Sequence, residues 1–443
     1  MRRDSPEDSL ITFTMPHTLI PQTDLEFIAR HSNADPQTLR LRFCSRRDLS
    51  PAQRESLEFA ITQIECRRRF AAKFRTLLSD NPDFLFPSHL AGEQASHLWV
   101  SRLHALIASQ YITHKPHKLR LFDMTAGLGI DFMCMLSSIC NDKGDGAIAS
   151  DIDPLKAEVL RHNLSTLGLD KAIVLNDDSM LALKRCEDDS INILFADPAR
   201  RSATDRRIYD PADCIPDVTG QWQLLLDKAE TVIIKNSPMI DPDKALALFP
   251  GTLRIAIVSV RNECKEVLVI ARRGAEFEGI DAINIIDDPG DGNPAAIQSV
   301  WIPVSMRKRT DRIPLVESTE WITSRISSDA DIWIYEPNSS LMKCHPWQYL
   351  TDAYPGLLKA SRNCHIWFST VRYPDFPGRV MRVASIHAGK NTLRGERLNI
   401  VSRNHPLSPE AIARKYRITS GGSNFLYAIT VGASESPFML RTT

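Results

Sequence analysis

Four segments of this 443-residue chain end in residues able to handle a small polar ligand, and they follow one another in order. In LRLFDMTAGLGIDF an apolar run reaches Asp123, turns through Gly127 and Gly129, and enters a helical stretch near Asp131. Glycines at such a turn let the backbone approach a ligand closely, and the helix start offers free N–H groups. Two glycines fall short of GxGxxG, and an ordinary strand-to-helix turn would use the same residues. GAIASDID ends in Asp151, where a strand-tip carboxylate can accept hydrogen bonds from both ribose hydroxyls. Asp153 competes for that role, although Pro154 after it marks it as a helix start. The third run, AIVLND, leads into Asp178 and Ser179. A side-chain acceptor there can take an adenine amino proton, and Asp178 can equally cap a helix. FADPARR, the fourth, carries Asp197 and Pro198 to the strand end. Asp197 can accept a proton from, or orient, an attacking amine while Pro198 fixes the backbone, and a turn aspartate before proline is the plain alternative.

The elements that must position these residues alternate. From Lys118 onward short apolar runs are separated by helical stretches such as PLKAEVLRHNLSTLG and QWQLLLDKAE, the pattern of a doubly wound parallel sheet. LRIAIVSV and EVLVIARR break the pattern, because RNECK between them is too short for a parallel crossover. Those two strands are expected to be antiparallel. Ahead of the sheet, Ser50 to Ser109 reads as helical, with Ser50 and Pro51 as a cap and first-turn pair, a break at Asn81 to Pro87, and one buried face made by Leu98, Val100, Leu103 and Ile107. After Gly274 a polar, Pro-rich passage leads to further strands and two helical patterns, an α+β arrangement.

Lys plus Arg and Asp plus Glu both number 54, so net charge is zero and any polyanion must be held by local clusters. Hydrophobic residues at 43% and charged ones at 24% fit a folded globular chain and exclude disordered and collagenous classes. Nine scattered cysteines form no CxxC or Cys/His spacing, which points away from a zinc module or disulfide framework. Cys214 reads as an incidental thiol. MRRDSPEDSL turns polar instead of entering an apolar leader, and no run of about 18 apolar residues exists. A cytoplasmic location without membrane association is expected.

DMTAGLGID, the acidic tip in ASDID, the NDDS turn and FADPARR together resemble motifs I to IV of class I S-adenosylmethionine-dependent methyltransferases, whose sheet ends in a reversed last strand. EQASHLW, YEPNSSLMK and RNHPLSPEAIARKY followed by GGSNFLYA are similar to a bacterial family described as methyltransferases with THUMP-like and ferredoxin-like C-terminal domains. The resemblance implies S-adenosylmethionine as the cofactor. It implies that Asp123, Gly127 and Gly129 surround its methionine part, Asp151 holds its ribose, and Asp178 with Ser179 meets its adenine. It adds Thr125, Ala126, Asp131, Phe132 and Ile152 to the donor site, lets Gln94 and Ser96 close over the donor from the preceding helix, and turns Asp197 with Pro198 toward the methyl acceptor.

Related amine-methylating enzymes carry Pro and an aromatic residue where this chain has Ala199 and Arg200, so the motif supplies no ring to stack on a flipped base. Arg200, Arg201, Arg206 and Arg207 can instead meet a phosphate backbone, as can Arg67 to Arg69, Arg307 to Arg309 and a terminal set including Arg394, Arg397, Arg403, Arg414, Lys415 and Arg417. Any one cluster is also what a charged helix face looks like. The expected organisation is a helical region over 1–115, a methyltransferase domain over 116–300, a ferredoxin-like α+β domain over 301–370 and a THUMP-like domain over 371–443. The expected activity is methylation of a nucleobase amine in tRNA or rRNA. A non-catalytic donor-binding RNA adaptor and a methyltransferase with a protein or small-molecule acceptor are the alternatives.

Overall fold

The computed structural model describes residues 20–113, 119–140, 146–199, 213–287, 296–307, 313–328, 330–386 and 393–443. Arg200, Arg201, Arg206, Arg207 and Arg309 lie outside the described residues. The chain divides into two compact units, Met1–Ala196 and Asp197–Thr443, so the division falls inside the stretch expected as one methyltransferase domain.

The first unit opens with helices. Ser50 and Gln53 form a reciprocal cap with Pro51 in the first turn of helix Pro51–Arg69, satisfying N–H groups that would otherwise be unpaired. The Asn81 to Pro87 break is a buried connection. Two amides hold it: Asn163 accepts from Leu85 N and donates to Leu85 O, and Gln63 does the same for Phe86. Buried peptide groups need such partners. Helix Leu98–Ser109 buries the four expected apolar positions, and Ser101 and His104 with them.

Four parallel strands follow: β1 (Leu119–Asp123), β2 (Ala147–Ser150), β3 (Ile173–Leu175) and β4 (Ile191–Ala196), in the order β3-β2-β1-β4. Their burial on both sides explains the continuous apolar runs. Register levels the strand ends, since Asp123 stands opposite Ala149 on β2 and Phe195 on β4. Asp151 therefore comes two residues beyond Asp123's level.

In the second unit β5 (Ala229–Asn236), β6 (Thr252–Val260), β7 (Glu263–Ala271), β8 (Gly279–Ile285) and β9 (Ile297–Pro303) run in the order β5-β7-β6-β8-β9. β7 is antiparallel to both β5 and β6, as the short RNECK link requires. β8 lies within the passage expected as polar and Pro-rich. Asp281 and Asn284 interrupt its apolar run, and burial raises the Asp281 carboxyl above the usual carboxylate range.

The remaining strands are β10 (Trp333–Pro337), β11 (Leu358–Lys359), β12 (Trp367–Ser369), β13 (Gly378–Ile386), β14 (Arg397–Arg403), β15 (Thr419–Val431) and β16 (Ser436–Thr442). They make a single seven-stranded sheet, β11-β12-β10-β13-β16-β15-β14. The stretches 301–370 and 371–443, expected as two small domains, share this sheet and one core, in which Ile334 and Phe368 join Val401, Ile429 and Leu440. Long-range pairing between non-consecutive strands is invisible to local periodicity, which is why the two stretches read as separate.

Candidate functional site

The glycine turn rests on Asp123, a buried carboxylate that accepts Thr125 N at 2.9 Å. Gly127 and Gly129 both take left-handed backbone, at φ +55° and +86°, a conformation costly for other residues. Their surroundings differ. A Cβ on Gly129 would clash with Leu160 Cδ1, so that glycine serves helix–helix packing, whereas a Cβ on Gly127 would meet only Thr125 O, at 3.9 Å. Open space beside Gly127 suits a ligand lying against the turn.

Backbone bonds tie the neighbouring strand tips to this turn. Met124 N donates to Phe195 O, Ala126 N to Ser150 O, and Asp151 N to Leu175 O. Asp151 then accepts Gly127 N at 3.1 Å and Asp153 N at 2.9 Å, one on each oxygen. Each carboxylate oxygen has a second lone pair, so both ribose hydroxyls can still be accommodated. Asp153 caps helix Pro154–Thr166 through Leu155 N and Lys156 N, which removes it from competition with Asp151. Asn176, unassigned from the sequence, donates to Asp151 O and Ile152 O and locks the β2 and β3 tips together. Ile152 is 74% exposed, an apolar face of ring-packing size held out at the strand tip.

Several expected donor contacts are placed elsewhere. Phe132 is fully buried in the core and has no surface to offer a ligand. Asp131 accepts Ser96 Oγ at 2.6 Å, Ser101 Oγ at 2.6 Å and His104 Nδ1 at 2.8 Å, so its carboxylate braces the helix after the glycine turn against helix Leu98–Ser109. The Ser96 hydroxyl is turned to that same brace. Asp178 caps helix Ser179–Arg185, with Oδ1 accepting Met180 N and Leu181 N, and Ser179 is buried. Gln94 is an exposed residue ending helix His89–Gln94. Ala126 is buried and Thr125 half-buried within the turn.

In the second unit, Asp197 Oδ2 lies 2.7 Å from Lys235 Nζ on β5, and the ammonium also sits 3.7 Å from Glu266 Oε2 on β7. Glu266 is only 4% exposed at its side chain and Asp197 39%. A buried carboxylate requires a counter-charge. Lys235 supplies it while fixing one oxygen of Asp197. Neither Lys235 nor Glu266 was singled out from the sequence. Their signal was the interruption of two apolar strands, TVIIKNS and EVLVIA, by a charge that burial would force to pair. Pro198 is buried, and Ala199 bridges antiparallel to Ile215, itself exposed. Cys214 is half-buried. Among the described residues no group of three or more His, Cys, Asp or Glu is placed to hold a metal, and no helix is long and apolar enough to cross a membrane.

This chain is similar to known proteins over different extents. A crystal structure from Porphyromonas gingivalis W83, of a protein named provisionally as a methyltransferase, superposes with a TM-score of 0.73 at 22% identity, over 95% of this chain and 97% of that one. The fold is that of a class I methyltransferase. Two Mycobacterium tuberculosis proteins, from strains CDC 1551 and H37Rv and both named as uncharacterized S-adenosylmethionine-dependent methyltransferases, are 29% identical over 165 residues. That match covers 36% of this chain and 41% of the length of those relatives. The family model for THUMP domain-like sequences matches residues 379–443.

Proposed function

We propose that this class I methyltransferase fold transfers the methyl group of S-adenosylmethionine to a nucleobase amine of tRNA or rRNA in the cytoplasm. The observation that carries the reading is the levelled row of strand ends. Asp123 and Asp151 come from successive sequence motifs and emerge within two residues of one level on the carboxyl edge of the first unit's strands, beside the open face of Gly127, where open α/β sheets bind ligands. The names of the mycobacterial relatives support the same donor, and the THUMP domain-like match supports an RNA acceptor.

S-adenosylmethionine, when bound, supplies an activated methyl on a sulfonium. The chain has to bind, orient and exclude water. Asp151 would accept the ribose hydroxyls, Ile152 would pack against the adenine face, and the open side of Gly127 would admit the methionine part. Asp197, steadied by Lys235, would take a hydrogen bond from the attacking amine and point its lone pair along the line of displacement.

Calorimetric titration with the donor, followed by labelled-methyl incorporation into RNA from cells lacking the protein, tests the proposal. Absence of binding heat in the wild type would refute it. A donor-binding adaptor without turnover is favoured by the small, exposed Ala199 next to the catalytic pair, where the motif itself supplies no ring for stacking. Incorporation that disappears in Asp197→Ala eliminates that second reading.

A further inference from the structure

The chain as a whole is neutral, yet residues 379–443 carry ten Lys and Arg against three Asp and Glu. Most positive charges cannot be ranked by sequence, but the structure separates them by partner. Arg441 has Glu396 to itself, at 3.0 Å through both nitrogens, and Arg382 has Asp331 at 2.6 Å. Arg379 and Arg403 must share one carboxylate. Glu336 on β10 accepts Arg379 Nη1 at 3.1 Å on one oxygen and Arg403 Nη2 at 2.7 Å on the other, and Tyr427 OH reaches it at 3.2 Å. The cluster therefore keeps one positive charge in excess.

Its construction is long-range. Arg403 on β14 stands four strands from β10 in the sheet order, about 19 Å apart if the sheet were flat. Direct contact means that the sheet curls until its distant strands meet over Glu336, whose side chain is 7% exposed. The Arg379 and Arg403 side chains remain 39% and 47% exposed. Arg379 Cζ lies 4.5 Å from the centroid of the Phe425 ring, so a cation–π contact holds the guanidinium as well as Glu336. Both of its hydrogen bonds leave through Nη1. Its Nε and Nη2 have no hydrogen bond to the described residues. That edge is the planar two-donor fork that fits a phosphate.

We propose that Arg379, held by Glu336 and Phe425 and accompanied by Arg403, is a phosphodiester-binding fork on the C-terminal sheet. It deepens the RNA part of the proposed function and rests on that part. A guanidinium fixed on two sides loses little freedom on meeting a phosphate, which distinguishes it from the exposed Arg414 of helix Pro409–Tyr416. The excess charge supplies attraction, and counterions are released when a phosphate replaces them.

The test titrates the full chain with a fluorescently labelled uridine oligoribonucleotide and, in a second arm, the deoxyribose oligonucleotide, across a range of salt. Arg379→Gln is expected to weaken binding by about tenfold and to lower the slope of log affinity against log salt by about one. Arg379→Lys keeps a counter-charge for Glu336 but not the fork, and is expected to stay several-fold weaker than wild type with its melting temperature unchanged. Preference for the ribose strand supports an RNA partner, and equal binding supports a fork that reads phosphodiester alone. Wild-type chain that binds neither strand at low salt, or both variants binding with wild-type affinity and slope, overturns the proposal. Donor calorimetry on the same samples separates the two readings. Donor heat without oligonucleotide binding sinks the fork alone, and oligonucleotide binding without donor heat sinks methyl transfer alone.

Discussion

The glycine turn and the Asp197 pair are built by opposite means. Around Asp123, Gly127 and Asp151 nearly every bond is a backbone N–H meeting a nearby carboxylate or a neighbouring strand's carbonyl. Around Asp197 the bonds are between side chains far apart in sequence, with Lys235 on β5 set between Asp197 and a buried Glu266 on β7. A turn made of backbone tolerates side-chain change, which under the proposed function suits an invariant donor. A charge triplet anchored on a buried carboxylate has few tolerated substitutes, and the proposed function puts the choice of acceptor there.

The sharpest way to break this comparison is Asp197→Ala. It should lower the methyl-transfer rate by about a hundred- to ten-thousand-fold while leaving donor affinity, measured by calorimetry, within experimental scatter. Equal loss of donor affinity would show that the two regions are one. Lys235→Met comes next. It removes the charge that Lys235 sets beside the buried Glu266 and should cost about 3–5 kcal/mol in urea unfolding, and a Lys235→Met, Glu266→Leu double variant should recover most of it. Asp151→Asn should weaken the donor by about 2 kcal/mol, the worth of hydrogen bonds to a charged acceptor, with little change in rate at saturating donor.

The smallest effect belongs to a region outside both. Bidentate hydrogen bonding from Arg40 holds the Glu65 carboxyl down to about 2, against an ordinary 4.5, with His89 assisting. A carboxylate with a depressed folded value stabilises the fold above its ordinary value and loses that contribution as pH falls toward the folded one. Because the pair is partly solvated, Glu65→Gln should cost about 1 kcal/mol at neutral pH. The difference in urea unfolding between wild type and variant should shrink between pH 4.5 and about 2. A difference that persists at the acid end would remove Arg40 as its cause.

Much of the glycine turn and the strand tip beside it was legible because its parts are contiguous. Asp123 through Gly129 form one stretch, Asp151 follows an apolar run directly, and Pro154 marks Asp153 as a cap. The side chains that turn away from the glycine turn do so for one reason. Asp131 and Phe132 follow the glycines in the motif, but once the chain enters helix Ile130–Ile139 successive side chains point about 100° apart. One then faces Ser101 and His104 and the other the core. The Asp197 cluster was legible only as the Asp–Pro dipeptide. Lys235 and Glu266 gave only a charge beside an apolar run, with nothing to say which partner it meets, and β8 was masked by Asp281 and Asn284.

What the amino-acid order determined by itself is whatever depends on neighbours along the chain: alternating strands and helices, the hairpin forced by RNECK, the caps at Ser50 and Asp153, and the turn that needs glycine at positive φ. Tertiary structure alone decided which charges meet. Coulomb and desolvation energies depend on separation in space and on burial, and the curl that brings Arg403 to Glu336, like the pairing that sets Lys235 between Asp197 and Glu266, has no counterpart in sequence distance.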